Sequence, residues 1–215
     1  MHVGILGTGT MAAAVGEGWI RAGHRLSIGG RSDRKAGLLA DRLGPASRAV
    51  TPEVVACESD AVLLAVAWEG VEEMLRLAGA PQQSLEGKTL IDCTNAVDYR
   101  TFALKPSNGS AAGTIAELAP GAHIVKALHL FAGQSWLSPP PSDVPRRTVA
   151  MCGDDATALE ITADLVRELG GAPAVVGGLE AARQLEDVAG FVMRLVAAGF
   201  DPATAVPIVQ PTNTR

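Results

Sequence analysis

The stretch Val3-Gly4-Ile5-Leu6-Gly7-Thr8-Gly9-Thr10-Met11-Ala12 sets a short apolar run directly before a Gly-x-Gly-x-x-Ala turn, and a helix-period segment, Met11 to Ala22, follows at once. Strand, glycine turn and helix in that order make a site for a dinucleotide. Gly7 allows the tight turn, Gly9 lets the backbone approach a pyrophosphate where a Cβ would intervene, and the small Ala12 lets helix pack closely on strand. Thr8, Thr10 and Met11 complete the turn, and the helix N-terminus faces the anion with free N–H groups. A glycine-rich turn alone also occurs in α/β proteins that bind no nucleotide. Here a second strand follows at the distance a nucleotide-binding βαβ unit requires.

Outward from this turn, short aliphatic or β-branched runs alternate with helix-period segments along the chain. Strands are expected at Val3 to Leu6, Arg25 to Gly29, Ala46 to Val50, Ala61 to Val66, Thr89 to Asp92, Ile124 to Ala127, Thr148 to Cys152 and Pro173 to Val176. Helices are expected at Met11 to Ala22, Asp33 to Leu43, Trp68 to Ala78, Ser110 to Leu118, Asp155 to Leu169 and Leu179 to Ala198. Most strands lack polar alternation, as they should where helices cover both faces. Thr51-Pro52-Glu53 joins a capping residue, a first-turn proline and an acid, marking a further short helix, and Leu169-Gly170-Gly171 is a glycine stop. Thr94 to Asn108 and the proline-rich Ser138 to Pro145 read as loops. The expected architecture is a Rossmann-type, doubly wound, mostly parallel α/β sheet. Residues 1–145 form its nucleotide-binding core, and 146–215 a βαβα extension that completes the same domain and helps form the substrate cleft.

Composition narrows the function. The 215 residues are 47% apolar and 19% charged, which excludes a disordered, collagenous or coiled-coil chain. A net charge of -5 gives no footprint for nucleic acid or an anionic membrane, so a small-molecule substrate is expected. Ala61 to Trp68, the longest apolar run, falls well short of the ~20 residues a spanning helix needs. With no charged leader before Val3, a cytoplasmic protein is expected. Cys57, Cys93 and Cys152 lie far apart without metal-binding spacing, so they read as reduced thiols and no metal site is expected.

The end of the second strand points to the kind of nucleotide. Where an NAD enzyme places an acid against the ribose hydroxyls, this chain has Ile28-Gly29-Gly30-Arg31-Ser32-Asp33-Arg34-Lys35. Arg31 suits a 2′-phosphate, Ser32 can donate to it, Lys35 adds a compact positive charge, and Thr8 can add a hydroxyl. Basic side chains oppose the dipole at a helix start unless an anion binds there, which favours NADP over NAD. Asp33 reads as a cap or a displaced ribose ligand.

With these residues the chain resembles the NADPH-dependent reductases of the deazaflavin coenzyme F420, the F420-dependent NADP oxidoreductases, over nearly its whole length. The likeness rests on GTGTMA, on the GRSDRK turn, on Ala65-Val66-Ala67-Trp68-Glu69, and on Asp92-Cys93-Thr94-Asn95. It continues through Lys126-Ala127-Leu128-His129, Cys152-Gly153-Asp154-Asp155 and the run from Gly178 to Glu186. The resemblance implies one Rossmann domain, a homodimer, and hydride exchange between NADP(H) and the deazaflavin. It implies that Thr8, Arg31, Ser32 and Lys35 hold the adenosine phosphate, and that Trp68, Thr94 and Asn95 line the nicotinamide side. His129, Phe131 and Gly133 would flank the deazaflavin. Read from the residues alone, Ala67, Thr94 and His129 follow strands, where doubly wound sheets bind ligands. Trp68 also suits packing under a loop, Thr94 and Asn95 suit loop-shaping bonds, and His129 suits either a structural bond or a proton donor to a carbonyl or imine substrate. A nucleotide-sensing protein without turnover is a third reading. Arg183 and Glu186 read as a surface pair. Ala67 and Ala96 replace residues usual in the family, and Glu180, if turned inward, would repel an acidic tail on the second substrate.

Overall fold

Residues in β1 (His2–Leu6) divide between two apolar layers, Val3 and Ile5 in one and Leu6 in the other. β4 (Ala61–Leu64) repeats this division with Ala61 and Leu63 against Val62 and Leu64. A strand apolar on both sides must be covered on both sides, and the rest of the fold supplies the cover. The computed structural model describes residues 1–106, 108–137 and 145–205. The other strands are β2 (Arg25–Gly29), β3 (Ser47–Ala49), β5 (Thr89–Asp92), β6 (His123–Lys126), β7 (Thr148–Gly153) and β8 (Ala172–Val175). All eight join one sheet in the order β3-β2-β1-β4-β5-β6-β7-β8. Neighbours pair in parallel except β6 and β7, which are antiparallel through Val125 with Gly153 and Lys126 with Cys152.

One face of the sheet is covered by α1 (Thr10–Arg21), α2 (Asp33–Leu43) and α6 (Ala156–Glu168). The other is covered by α3 (Pro52–Glu58), α4 (Val71–Leu77), α5 (Ala111–Leu118) and α7 (Ala182–Ala197). Side-chain oxygens close the exposed N–H groups at several helix starts: Ser32 for α2, Thr51 ahead of Pro52 for α3, Ser110 for α5 and Asp155 for α6. Trp19 is fully buried and donates from Nε1 to the Leu165 carbonyl at 3.1 Å, tying α1 to α6 and so the first half of the sheet to the last.

All the strands expected from sequence are present. The helix expected from Trp68 opens as a 3-10 turn, Trp68–Gly70, before α4, and the one expected from Leu179 opens as the 3-10 turn Leu179–Ala181 before α7. The first expected loop carries a short antiparallel bridge between Val97 and Leu104. Of the proline-rich stretch expected as a loop, residues 138–144 lie outside the described residues. Among the described residues no helix is long and apolar enough to cross a membrane.

The two glycines of the first turn carry different burdens. Gly7 adopts φ +140°, its N–H donates to the Gly29 carbonyl at 2.8 Å, and a Cβ there would stand 2.1 Å from the Ala65 carbonyl oxygen. At Gly9 a Cβ would meet nothing within 4 Å. Gly7→Ala is therefore expected to lose about 2 to 5 kcal/mol in urea unfolding, from strain and overpacking together. Gly9→Ala should unfold at the parental midpoint, and equal losses in the two variants would contradict this division.

Candidate active site

Beyond the carboxyl ends of β1, β2, β4 and β5 two pockets adjoin, sharing Gly9 and the stretch from Ala65 to Ala67. Gly9 caps α1 without any side-chain bond, and the first turn of α1 holds no acidic residue, so its N–H groups face the junction unopposed. Every residue that the sequence assigns to the nucleotide or to the second substrate through the family resemblance lines one pocket or both, as do the turn residues Gly7, Gly9, Thr10 and Met11 and the strand-end Ala67. Gly7, Thr8, Arg31, Ser32 and Lys35 line the outer one; Thr10, Met11, Trp68, Thr94, Asn95, His129, Phe131 and Gly133 line the inner one; Gly9 and Ala67 belong to both.

The outer pocket, about 490 Å³, is polar. Ser32 Oγ accepts the Lys35 N–H at 3.4 Å, which orders the start of α2 and keeps the hydroxyl at the pocket edge. Arg31 is exposed and donates from Nη1 to Glu73 Oε2 at 3.0 Å. Glu73 and Met74, both on α4, complete the wall and escape sequence reading because only the tertiary fold brings them there.

The inner pocket, about 450 Å³, is mostly apolar with a few polar groups that lack partners. Thr94 Oγ1, Asn95 Oδ1 and His129 Nδ1 are buried without a hydrogen-bond partner among the described residues, and all three residues line it. Their backbones and remaining atoms are held. Asn95 Nδ2 donates to the His129 carbonyl at 2.8 Å, and His129 Nε2 lies 3.1 Å from the Leu185 carbonyl. A carbonyl only accepts, so Nε2 bears the proton and Nδ1 is left as an acceptor. Burial pushes the His129 pKa down to about 4, the Lys126 charge assisting, so the ring is neutral at pH 7. Leu128, buried beside it, holds φ +63°, a conformation unusual for a large side chain, and this bend takes the chain from β6 into the pocket wall. Phe131 stacks edge-on against Trp136 with centroids 5.6 Å apart. At Gly133 a Cβ would come within 2.9 Å of the Thr10 carbonyl oxygen, so this glycine serves the close seating of the segment on the phosphate turn.

Beneath Thr94 lies a fully buried ionic cluster. Lys126 Nζ is 2.9 Å from Asp92 Oδ2, 3.2 Å from Glu186 Oε1 and 2.7 Å from the Thr94 carbonyl. Asp92 Oδ1 accepts the Thr94 N–H at 2.8 Å, and Glu186 accepts the N–H groups of Ala111 and Ala112 at 2.8 and 3.1 Å. Burial opposes the lysine charge, but the two carboxylates outweigh it and hold the Lys126 pKa above its ordinary value. Cys93 donates to the Leu64 carbonyl at 3.3 Å, and burial pushes its thiol up to about 12, so it offers no thiolate.

One expectation is corrected, and one condition is not met. Arg183 and Glu186 are not a surface pair: Glu186 faces the core, while Arg183 pairs with Asp187 at 3.3 Å and donates to the carbonyls of Pro106 and Gly109. Glu180 does not turn inward; it is exposed, and its carboxylate accepts the Gly178 N–H at 3.1 Å. Sequence reading also missed Tyr99 and, on α7, Ala189, Val192 and Met193, all of which line the inner pocket.

Residues 2–96 match the family described as NADP oxidoreductase, coenzyme F420-dependent. Over 189 residues the chain is 30% identical to the metalloreductase STEAP3 of Rattus norvegicus, a match covering 86% of this chain and 36% of that protein. The chain thus spans about a third of the length of this curated relative. A candidate F420-dependent NADP-reductase from Arthrobacter sp. FB24 has a solved structure 27% identical to this chain, with TM-score 0.79 over 92% of this chain and 95% of that one. A reductive aminase from Aspergillus terreus in complex with NADPH, 20% identical, shares the fold with TM-score 0.69 over 95% of this chain and 65% of its own. The resemblance read from the motifs is borne out, and so is the doubly wound α/β fold. The chain is related to NADP-dependent oxidoreductases.

Because His129 takes up a proton less readily in the folded state than at its ordinary 6.5, the unfolded chain binds more protons between pH 6.5 and 4. Stability from this group is therefore present above that window and lost as pH falls through it. On lowering pH from 7 to 4.5, the parent should lose roughly 2 to 3 kcal/mol more than His129→Gln in denaturant unfolding. Parallel losses would contradict a buried, neutral His129.

Proposed function

We propose that the chain exchanges a hydride between NADP(H) and the deazaflavin coenzyme F420, working as a cytoplasmic homodimer. One observation carries the reading: two pockets of opposite character meet at a glycine turn, one with cations and hydroxyls, the other apolar with unpaired buried polar atoms. A dinucleotide phosphate has those two ends. The residues present fit it. Open space at Gly9 and the uncapped start of α1 suit a pyrophosphate. Arg31, Ser32, Lys35 and Thr8 offer a forked cation, a point charge and hydroxyls to a 2′-phosphate. Thr94 Oγ1 and Asn95 Oδ1 offer a donor and an acceptor to a carboxamide, which needs both.

When bound, the reduced nicotinamide supplies the hydride and the deazaflavin accepts it. The chain's own contribution is placement and exclusion of water. Lys126 and Asp92 fix both backbone groups of Thr94, so its hydroxyl is presented from a rigid support. Trp68, Met11 and Phe131 make apolar walls, and the C-terminal segment from residue 146 completes the cleft through Ala189, Val192 and Met193 of α7. Val188, Phe191, Val196 and Phe200 leave an apolar stripe on the outside of that helix and the residues after it, suited to a second copy of the chain.

The alternative, reduction of a small carbonyl or imine with His129 as acid, is disfavoured by the same geometry. The Nε2 proton is engaged with Leu185, and Nδ1 carries none. Hydride exchange between two planar rings depends on close stacking more than on a positioned acid.

Anaerobic absorbance of the purified protein with NADPH and oxidised coenzyme F420, against NADH and flavin controls, tests the proposal. Loss of the deazaflavin band with NADPH is expected; NADPH binding with the band unchanged would contradict the second substrate. Gly9→Ala, expected to keep the parental fold, should bind NADPH at least roughly tenfold more weakly by calorimetry, because a Cβ enters the space left for the pyrophosphate. Parental affinity in that variant would contradict the placement.

A further inference from the structure

The outer pocket holds one charge of the wrong sign. Arg31 and Lys35 suit an anion, yet the third charged side chain in its lining is the carboxylate of Glu73. Arg31 reaches from the end of β2 to α4 to meet it, its guanidinium carbon passing 3.9 Å from where a Cβ on Gly70 would stand. The side chains are 62% and 48% exposed, so this bond across the pocket adds little to stability. Nor does the helix dipole require Glu73 in particular: Glu72 supplies a first-turn acid to α4 and does not line the pocket.

We infer that Glu73 is a specificity-determining residue that competes with the nucleotide 2′-phosphate for Arg31 and so limits the preference for NADP over NAD. This rests on the nucleotide reading of the pocket. A guanidinium forked onto a phosphate has fewer donors left for a carboxylate, and a carboxylate that stays beside it stands close to the phosphate charge. The neutral ribose hydroxyl of NAD meets no such conflict and can donate to the carboxylate. NAD-binding folds of this kind place an acid at the end of the second strand for that purpose. This chain has Gly29-Gly30-Arg31 there, and the fold returns an acid to the same pocket from α4. Glu73 thus offers the ribose hydroxyls a partner from the opposite wall while drawing Arg31 away from a phosphate.

Calorimetric titration of the full chain with 2′,5′-ADP and with 5′-AMP, probes that differ only in the 2′-phosphate, tests the inference. Glu73→Gln should tighten 2′,5′-ADP by roughly two- to fivefold, the scale of an exposed ion pair, and leave 5′-AMP unchanged or weaker. In an Arg31→Leu background the gain from Glu73→Gln should disappear, since there is no cation left to contest. Weaker 2′,5′-ADP binding in Glu73→Gln, the same factor for both probes, no change in either, or a gain that survives Arg31→Leu would each overturn the inference while leaving the nucleotide site standing. A parent protein that binds neither probe would overturn the nucleotide reading itself.

Discussion

The buried lysine between two carboxylates is the constraint on which the site depends. Asp92 and Lys126 are paired residues at the ends of adjacent parallel strands, and Glu186 comes from the last helix to meet them. Three charges with no access to water are tolerable only when paired and bonded, and here the remaining valences go to backbone groups: the Thr94 N–H and carbonyl, and the first N–H groups of α5. One cluster thereby joins β5, β6, α5 and α7 and fixes the loop that follows β5. Because a buried charge stripped of its partner is far more costly than a lost surface pair, the cluster leaves these elements little freedom to shift relative to one another.

From that support the cleft acquires its two-ended character. Its inner end is mostly apolar and carries buried polar atoms without a partner among the described residues; its outer end is polar, with Arg31 and Glu73 joined by an exposed ion pair. The contrast matters because electrostatic interactions are strong and rigid at the first end and screened and exchangeable at the second. Orientation for chemistry and selection of the nucleotide are therefore handled by different physics within one groove, with the glycine turn between them.

Much of this was legible in the sequence because it is local. The turn from Gly7 to Ala12, the strand runs and the basic residues after β2 each act within a few residues of themselves, and positions just past strand ends fall beside one another in any doubly wound sheet. What depends on distant partners was not legible. The direction of β7 leaves no trace in its own composition, and Glu73 joins the site only because α4, packed beside α3 on one face of the sheet, brings it to Arg31 at the end of β2. Glu186 was misread, although a signal existed. It falls among Ala182, Leu185, Ala189 and Gly190, the buried stripe of α7, and an acid on such a stripe needs an internal cation. Lys126, closing an otherwise apolar strand, was the matching signal.

A crystal structure of the protein with NADP bound tests the central claim most directly, that the fold leaves specific polar atoms in the inner pocket for a nicotinamide to complete. The account predicts the ring in the inner pocket with its carboxamide bonded to Thr94 Oγ1 and Asn95 Oδ1, and the cluster around Lys126 unmoved. A nicotinamide outside the pocket, or one seated there with both atoms still unpaired, would contradict it.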